Sequence, residues 1–275
     1  MSDHQPQTYL FVPGSRPERF AKALASGADR IILDLEDAVA PADKAAARAA
    51  MAEWMAGCAP GVRDKVLIRL NDAATDWYAQ DLALARSVQA VCVMLPKCEA
   101  AAQVSAALAQ LAANATMLPL IETARGLLAL PHIAVAPGVA RLAFGSLDYM
   151  ADLDIPADSL ALDVAASQIA VASRAAGLAS PLAGVTPALD AAQVNKDMVH
   201  ARSLGFGAKM CIHPAQVAAV RAALAPSAEE LVWAQRILQA WEASGTGAIQ
   251  VDGKMVDLPV VRKAERIVTQ AARTN

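Results

Sequence analysis

Four cysteines and four histidines in 275 residues leave little material for a soft-metal centre. Cys58, Cys92, Cys98 and Cys211 form no CxxC pair, and His4, His132, His200 and His213 have no partner four positions along, so zinc-ligand spacing is absent. Cys92 and Cys211 lie inside apolar runs, which reads as reduced, buried thiols rather than a disulfide framework. No apolar run approaches bilayer length, and the start, MSDHQPQTYLFVPG, has neither the cationic end nor the apolar stretch of an export signal. A soluble, cytoplasmic protein with no membrane partner is expected. Lys and Arg number 24 against 27 Asp and Glu, a formal net charge of −3, and the basic residues are scattered. That argues against a nucleic-acid partner. Neither GxxxxGK[ST] nor GxSxG occurs, and Gly205-Phe206-Gly207 lacks a third glycine and precedes an apolar run instead of following one.

Aromatic residues make up only 4% of a chain that is 56% hydrophobic. A core of helices packed closely on an aliphatic sheet is the consequence, which favours an α/β class. Short apolar runs bounded by polar or turn residues occur at Tyr9–Val12, Ile31–Leu35, Val66–Leu70, Val91–Leu95, Met117–Ile121, Leu142–Phe144, Leu182–Val185 and Ala208–Ile212. Their first residues lie 22 to 40 positions apart, about the length of a strand, a helix and two loops. Eight such units make a (β/α)8 TIM barrel. Ser15-Arg16-Pro17-Glu18 reads as a capping box for a helix that Gly27 closes, and alanine-rich helices are predicted over Lys44–Met55, Glu99–Leu111 and Leu162–Ala176. Residues 1–225 are read as the barrel and 226–275 as an extension. That extension holds a second capping box at Ser227 to Glu230, a break at Ser244-Gly245-Thr246-Gly247, a hairpin turning at Asp252-Gly253 and a last helix from about Pro259. It is a candidate lid or subunit-exchanging arm.

In a barrel, chemistry sits at the carboxyl ends of the strands, so the first polar residues after each run are the candidates. These are Asp34, Glu36 and Asp37, then Arg69 and Asn71, Lys97, Glu122, Gly145-Ser146 with Asp148, and His213. Glu122 and Asp148, acidic residues from neighbouring strands with no histidine pair nearby, suit a hard divalent cation such as Mg2+, which keeps positions open for a chelating substrate. Arg69 supplies a fixed positive charge for a substrate carboxylate or a developing oxyanion. Each residue also has a purely structural reading. Glu122 and Asp148 can cap helices or form ion pairs, Arg69 can neutralise Asp34, Glu36 and Asp37, Lys97 reads as a hydrogen-bonding residue rather than a base, and His213 precedes a proline.

These residues lie in segments that resemble the citrate lyase β-subunit-like members of the HpcH/HpaI aldolase family: LFVPG at 10–14, LDLEDAV at 33–39, Lys44 with Arg48, IRLN at 68–71, MLPK at 94–97, IETARG at 121–126, FGS with Asp148, and GFG to IHP at 205–214. The resemblance implies a TIM barrel that binds Mg2+ through Glu122 and Asp148. It also implies that Arg69, Glu122, Gly145 and Ser146 hold substrate, with Glu36, Asp37 and Lys97 in support. The substrate it implies is a thioester of coenzyme A or an acyl carrier protein, split into an acetyl thioester and a 2-oxo acid. It further implies a C-terminal lid whose Asp257 acts as acid or base in a neighbouring subunit, hence a homotrimer or hexamer; the other reading of Asp257 is an N-cap. Many relatives carry basic residues before the LFVPG segment, where this chain has Gln7-Thr8-Tyr9. Malyl-CoA or citramalyl-CoA cleavage is the expected activity. The alternatives are a citryl-carrier-protein lyase subunit, an aldolase on free 2-oxo acids and a non-catalytic ligand-binding protein.

Overall fold

The computed structural model describes residues 5–244 and 247–274, so His4 and the Gly245-Thr246 part of the expected helix break lie outside the described residues. Eight parallel strands close into a barrel in sequence order: β1 (Thr8–Pro13), β2 (Arg30–Asp34), β3 (Val66–Arg69), β4 (Cys92–Leu95), β5 (Thr116–Ile121), β6 (Ala143–Phe144), β7 (Leu182–Ala183) and β8 (Ala208–Cys211). Each apolar run falls on one strand, with ends displaced by no more than two residues. This is the TIM-barrel fold. The helices of this unit are α1 (Phe20–Ala25), α2 (Lys44–Ala56), α3 (Pro60–Arg63), α4 (Tyr78–Ser87), α5 (Ala101–Leu108), α6 (Ala124–Ala134), α7 (Ser146–Leu153), α8 (Leu160–Ala175), α9 (Ala191–Ser203) and α10 (Ala215–Leu224). Among the described residues no helix is long and apolar enough to cross a membrane.

Tyr9, Ile32, Leu67, Met94, Leu118, Leu120, Ala143, Leu182, Ala208 and Met210 fill the barrel, with Phe11 packed against them. Side chains alternate along a strand, so the next inward positions after Ile32, Leu67, Leu120 and Ala143 are Asp34, Arg69, Glu122 and Gly145. The apolar pattern that fills the barrel therefore also aims three charged groups into its carboxyl-terminal mouth.

Two local expectations change. Pro17 takes the first helical position and makes Arg16 the N-cap, so the chain enters through a 3-10 turn, Pro17–Arg19, and Ser15 caps nothing. The helix expected from Glu99 starts at Ala101, because Gln103 Oε1 accepts from the amides of Glu99 (2.7 Å) and Ala100 (3.0 Å) and holds both outside the helix.

The chain divides into two compact units, Gln5–Ala223 and the segment from Leu224 onward. The second contains α11 (Ala228–Ser244), the antiparallel pair β9 (Ile249–Val251) and β10 (Lys254–Val256), and α12 (Leu258–Thr274). Its core is Ala234, Ile237, Val256, Val261, Ala264 and Ile267. The Ser227 box forms reciprocally: Ser227 Oγ accepts from Glu230 N at 3.0 Å, and Glu230 Oε2 accepts from Ser227 N at 2.9 Å. Asp252 (φ 50°) and Gly253 (φ 75°) turn the hairpin, as a two-residue loop with two left-handed positions requires.

Candidate active site

Arg69, the last residue of β3, is the hub of the mouth. Its Nε donates to Asp34 Oδ1 at 2.7 Å and Nη2 to Asp34 Oδ2 at 2.6 Å, a bidentate pair with the last residue of β2. Its Nη1 lies 2.8 Å from Glu36 Oε2 and 3.9 Å from the exposed Asp37. The guanidinium also sits over the Phe11 ring, 4.8 Å from the centroid. Burial opposes its charge, but the charge and hydrogen bonds of Asp34, with Glu36 and Asp37, outweigh that and raise its pKa. A guanidinium has five N–H donors, and these contacts engage three, so Arg69 retains donors for a ligand.

Glu122 stands one residue beyond β5 and is 2% exposed. Its Oε1 accepts from the backbone N–H of Lys97 at 2.7 Å. Lys97 adopts a left-handed conformation (φ 45°), unusual for a side-chain-bearing residue, and this turn aims the amide at the carboxylate. The Lys97 Nζ lies 3.7 Å from Glu36 Oε1, a buried oxygen with no hydrogen-bond partner among the described residues. Asp148 is half-buried in the first turn of α7, and its charge is felt at Glu122. Gly145, the residue between β6 and α7, lies so close to Glu122 that a Cβ there would strike the carboxylate and approach Glu122 Cβ to 2.6 Å. Gly145→Ala is therefore expected to displace Glu122 and lower any cation affinity of the mouth by roughly tenfold or more, with the fold retained; isothermal titration with Mg2+ measures it. Ser146 opens α7, two residues before Asp148 in the same first turn.

The mouth carries more negative charge than it can balance. Desolvation, then the charges of Glu36 and Asp148, push Glu122 up to about 8 against the Lys97 amide and Arg69. Desolvation, then Asp37 and Asp34, push Glu36 up to about 7 despite Arg69 and Lys97. A folded-state pKa above the ordinary 4.5 means that the folded protein holds these protons longer than the unfolded chain. The associated stability is full below about pH 4.5 and is lost as pH rises through about 7 and about 8. Metal-free protein is accordingly expected to lose Tm between about pH 5 and about pH 8, and Mg2+ to restore it increasingly with pH; a melting series with and without chelator reads both.

Under this cluster runs a buried network that fixes the loops after β2 and β3. Lys44 Nζ donates to the carbonyls of Leu35 (2.7 Å) and Glu36 (2.9 Å) and to Asn71 Oδ1 (2.6 Å). Asn71 donates from its backbone and its side-chain amide to Asp81 Oδ2, at 2.8 and 2.6 Å, and Asp81 Oδ1 pairs with Arg48 at 2.9 Å. Lys44, Arg48 and Asn71 stand in the matched segments, but Asp81, which ties Asn71 to Arg48, went unrecognised in the sequence.

The structure thus gathers Asp34, Glu36, Arg69, Lys97, Glu122, Gly145 and Asp148 at one mouth, with Asp37 at its exposed edge. Asp257 belongs to the second unit, where its Oδ1 accepts from Val260 N at 3.4 Å at the start of α12. His213 is exposed and its Nδ1 accepts from Ala215 N, a local turn contact. Among the described residues no group of three or more His, Cys, Asp or Glu side chains is arranged to enclose a metal by itself. A buried carboxylate whose charge is disfavoured, with a second carboxylate near enough for its charge to be felt, suits a hard cation that other oxygens finish coordinating.

The chain as a whole is similar to known proteins. The sequence model of a family described as HpcH/HpaI aldolase/citrate lyase matches residues 7–214, and that of a C–C bond lyase of the TIM-barrel fold matches residues 173–273. A citrate lyase subunit beta-like protein of Mycobacterium tuberculosis is 39% identical over 270 residues, covering 96% of this chain and 94% of the relative. A (3S)-malyl-CoA thioesterase of Cereibacter sphaeroides is 33% identical over 260 residues, covering 92% and 90%. The crystal structure of CitE from M. tuberculosis in complex with magnesium, acetoacetate and coenzyme A superposes with a TM-score of 0.87 at 36% identity, over 97% of this chain and 98% of that one.

Proposed function

The chain belongs to the HpcH/HpaI aldolase/citrate lyase family, and from that premise we propose that it is a Mg2+-dependent carbon–carbon lyase. Its substrate is a 3-hydroxy-3-carboxyacyl-CoA such as malyl-CoA or citramalyl-CoA, and its products are acetyl-CoA and a 2-oxo acid. The observation that carries this reading is the surplus of buried negative charge at Glu122 and Glu36, opposite the donors of Arg69, inside a barrel mouth. The M. tuberculosis relative crystallised with magnesium, acetoacetate and coenzyme A supports it.

Glu122 and Asp148 hold the cation. When bound, the ion supplies Lewis acidity to the hydroxyl and carboxylate oxygens of the substrate. Arg69, fixed by Asp34 and Glu36, directs its remaining N–H donors at negative charge on the substrate. Glu36, Asp37 and Lys97 keep Arg69 and Glu122 in place, and Gly145 and Ser146 form the wall against which the oxo acid lies. In the reaction the hydroxyl passes its proton to solvent water, its oxygen becomes the carbonyl of the oxo acid, and the C2–C3 electron pair passes to the acetyl thioester carbon. Asp257 returns a proton to that carbon, and in synthesis removes it. Residues through about 225 are the catalytic barrel, the remainder is a lid acting on a neighbouring subunit, and the protein works as a trimer or hexamer in the cytoplasm.

Malyl-, citramalyl- and citryl-CoA incubated with Mg2+ test the reading. Oxo acid released in equal amount with acetyl-CoA supports it. Release of free coenzyme A with intact hydroxy acid favours thioester hydrolysis, the activity for which the C. sphaeroides relative is named. Asp257→Asn is expected to slow deuterium exchange into the acetyl methyl group by roughly a hundredfold, within the usual range for losing a general acid–base, with Mg2+ affinity unchanged. Unaltered exchange would reduce Asp257 to a helix cap.

A further inference from the structure

A second cavity lies between α8 and α9 and over the ends of β6 and β7, meeting the mouth at Ser146. It encloses about 570 Å³, within the range of metabolite sites. Phe144, Leu162, Ala166, Val185, Leu204 and Phe206 give it apolar walls. The proposed reaction uses none of the charged groups that line it.

Lys209 is the unusual member. It sits on β8 between Ala208 and Met210, which face the barrel interior, so alternation sends its side chain outward into the helix layer. There it is 4% exposed, yet it lines the cavity. Its Nζ donates to the Gly184 carbonyl at 2.6 Å. Among the described residues that is the one hydrogen bond the ammonium makes, and no carboxylate comes within ion-pair distance of it. A buried ammonium has three donors, and leaving them without acceptors is costly. Burial draws its pKa below the ordinary lysine range even against the charge of Asp197.

Three acids line the same wall; Asp158 is exposed, and the two half-buried ones are already engaged. Asp197 accepts from Thr186 Oγ1 at 2.5 Å and from Gln193 Nε2 at 2.6 Å, and Asp163 Oδ1 faces His200 Nε2 at 2.8 Å. What the cavity offers is donor capacity on a buried cation above apolar walls. The residue beside Lys209 across the β7–β8 pairing is Ala183, which also lines the cavity and brings no polar side chain of its own to the amine.

We propose that this cavity is a binding site for a small aliphatic carboxylate, whose carboxylate group rests on Lys209 Nζ over Ala183 and whose hydrocarbon body lies between α8 and α9. The site shares Ser146 with the wall of the mouth, but Lys209 takes no part in the reaction assigned there. Because Ser146, Leu147 and Met150 of α7 form part of its wall, the occupant touches the helix that carries Asp148.

Isothermal titration of the full chain in chelator-containing buffer tests it, with isovalerate and hexanoate as probes and isovaleramide and isoamylamine as uncharged and cationic controls. Saturable binding of the carboxylates and none of the controls is expected. Lys209→Met should weaken it by roughly tenfold or more, the cost of a lost charged hydrogen bond. Ala183→Asp, which places an internal carboxylate against the amine, should abolish it while the melting temperature holds or rises, and decides the matter should Lys209→Met fold poorly. Glu122→Gln should leave it unchanged. The proposal fails if no carboxylate binds saturably, if isovaleramide binds equally well, if a folded Ala183→Asp binds as the parent does, or if Glu122→Gln removes binding and so moves the ligand to the mouth.

Discussion

Glu122→Gln is expected to lower metal-dependent turnover by roughly 10³-fold or more, the scale of losing a catalytic metal's charge stabilisation, while the protein folds as well as before or better. Glutamine preserves the shape of the side chain and can still accept from the Lys97 amide, whose 2.7 Å contact holds Glu122 in place. It removes a negative charge that burial, Glu36 and Asp148 all disfavour. The gain in stability should therefore appear in metal-free protein at neutral and higher pH and vanish below about pH 4.5, where the parent carboxyl is protonated in both states. Urea titrations at two pH values, alongside steady-state rates, separate the two effects. Near-normal turnover in this variant would remove Glu122 from the reaction.

Arg69→Met carries the largest expected loss of stability, about 3–5 kcal/mol, because it leaves buried charge without its partner. Asp34 is fully buried and takes two hydrogen bonds from this one guanidinium, and Glu36 takes a third contact at 2.8 Å. Arg69→Lys keeps the charge but cannot reproduce the bidentate fork, so an intermediate loss is expected. Turnover should fall in both variants, and furthest in Arg69→Met. Chemical denaturation of both gives the order; a methionine variant as stable as the parent would mean that the ion pairs at the mouth contribute nothing net.

The residues that fill the barrel were legible because period-two alternation and regular spacing are properties of the chain itself. Ile32 and Leu67 identify the inward face, and counting two further reaches Asp34 and Arg69. Glu122, one position past β5, was legible for the same reason. How these charges pair was not, because pairing depends on the register between strands: that Asp34 opposes Arg69 follows from the β2–β3 alignment, and no single segment records it. Lys97 was visible as a side chain, whereas its contribution to Glu122 comes from a backbone amide turned by a left-handed φ. Ser15 failed as a cap because Pro17 fixed the helix start one residue later. Lys209 was passed over since a lysine in an apolar strand reads as an interruption, and only the packing of α8 and α9 shows that it is buried beside a cavity.

Whether Glu122 and Asp148 grip one cation at the barrel mouth is tested most directly by a crystal structure grown with Mg2+ and oxaloacetate. The result predicted is a single ion about 2.1 Å from one oxygen of each carboxylate, the remaining positions taken by oxaloacetate and water. An ion bound elsewhere, or the two carboxylates turned apart with oxaloacetate held by Arg69 alone, would contradict it.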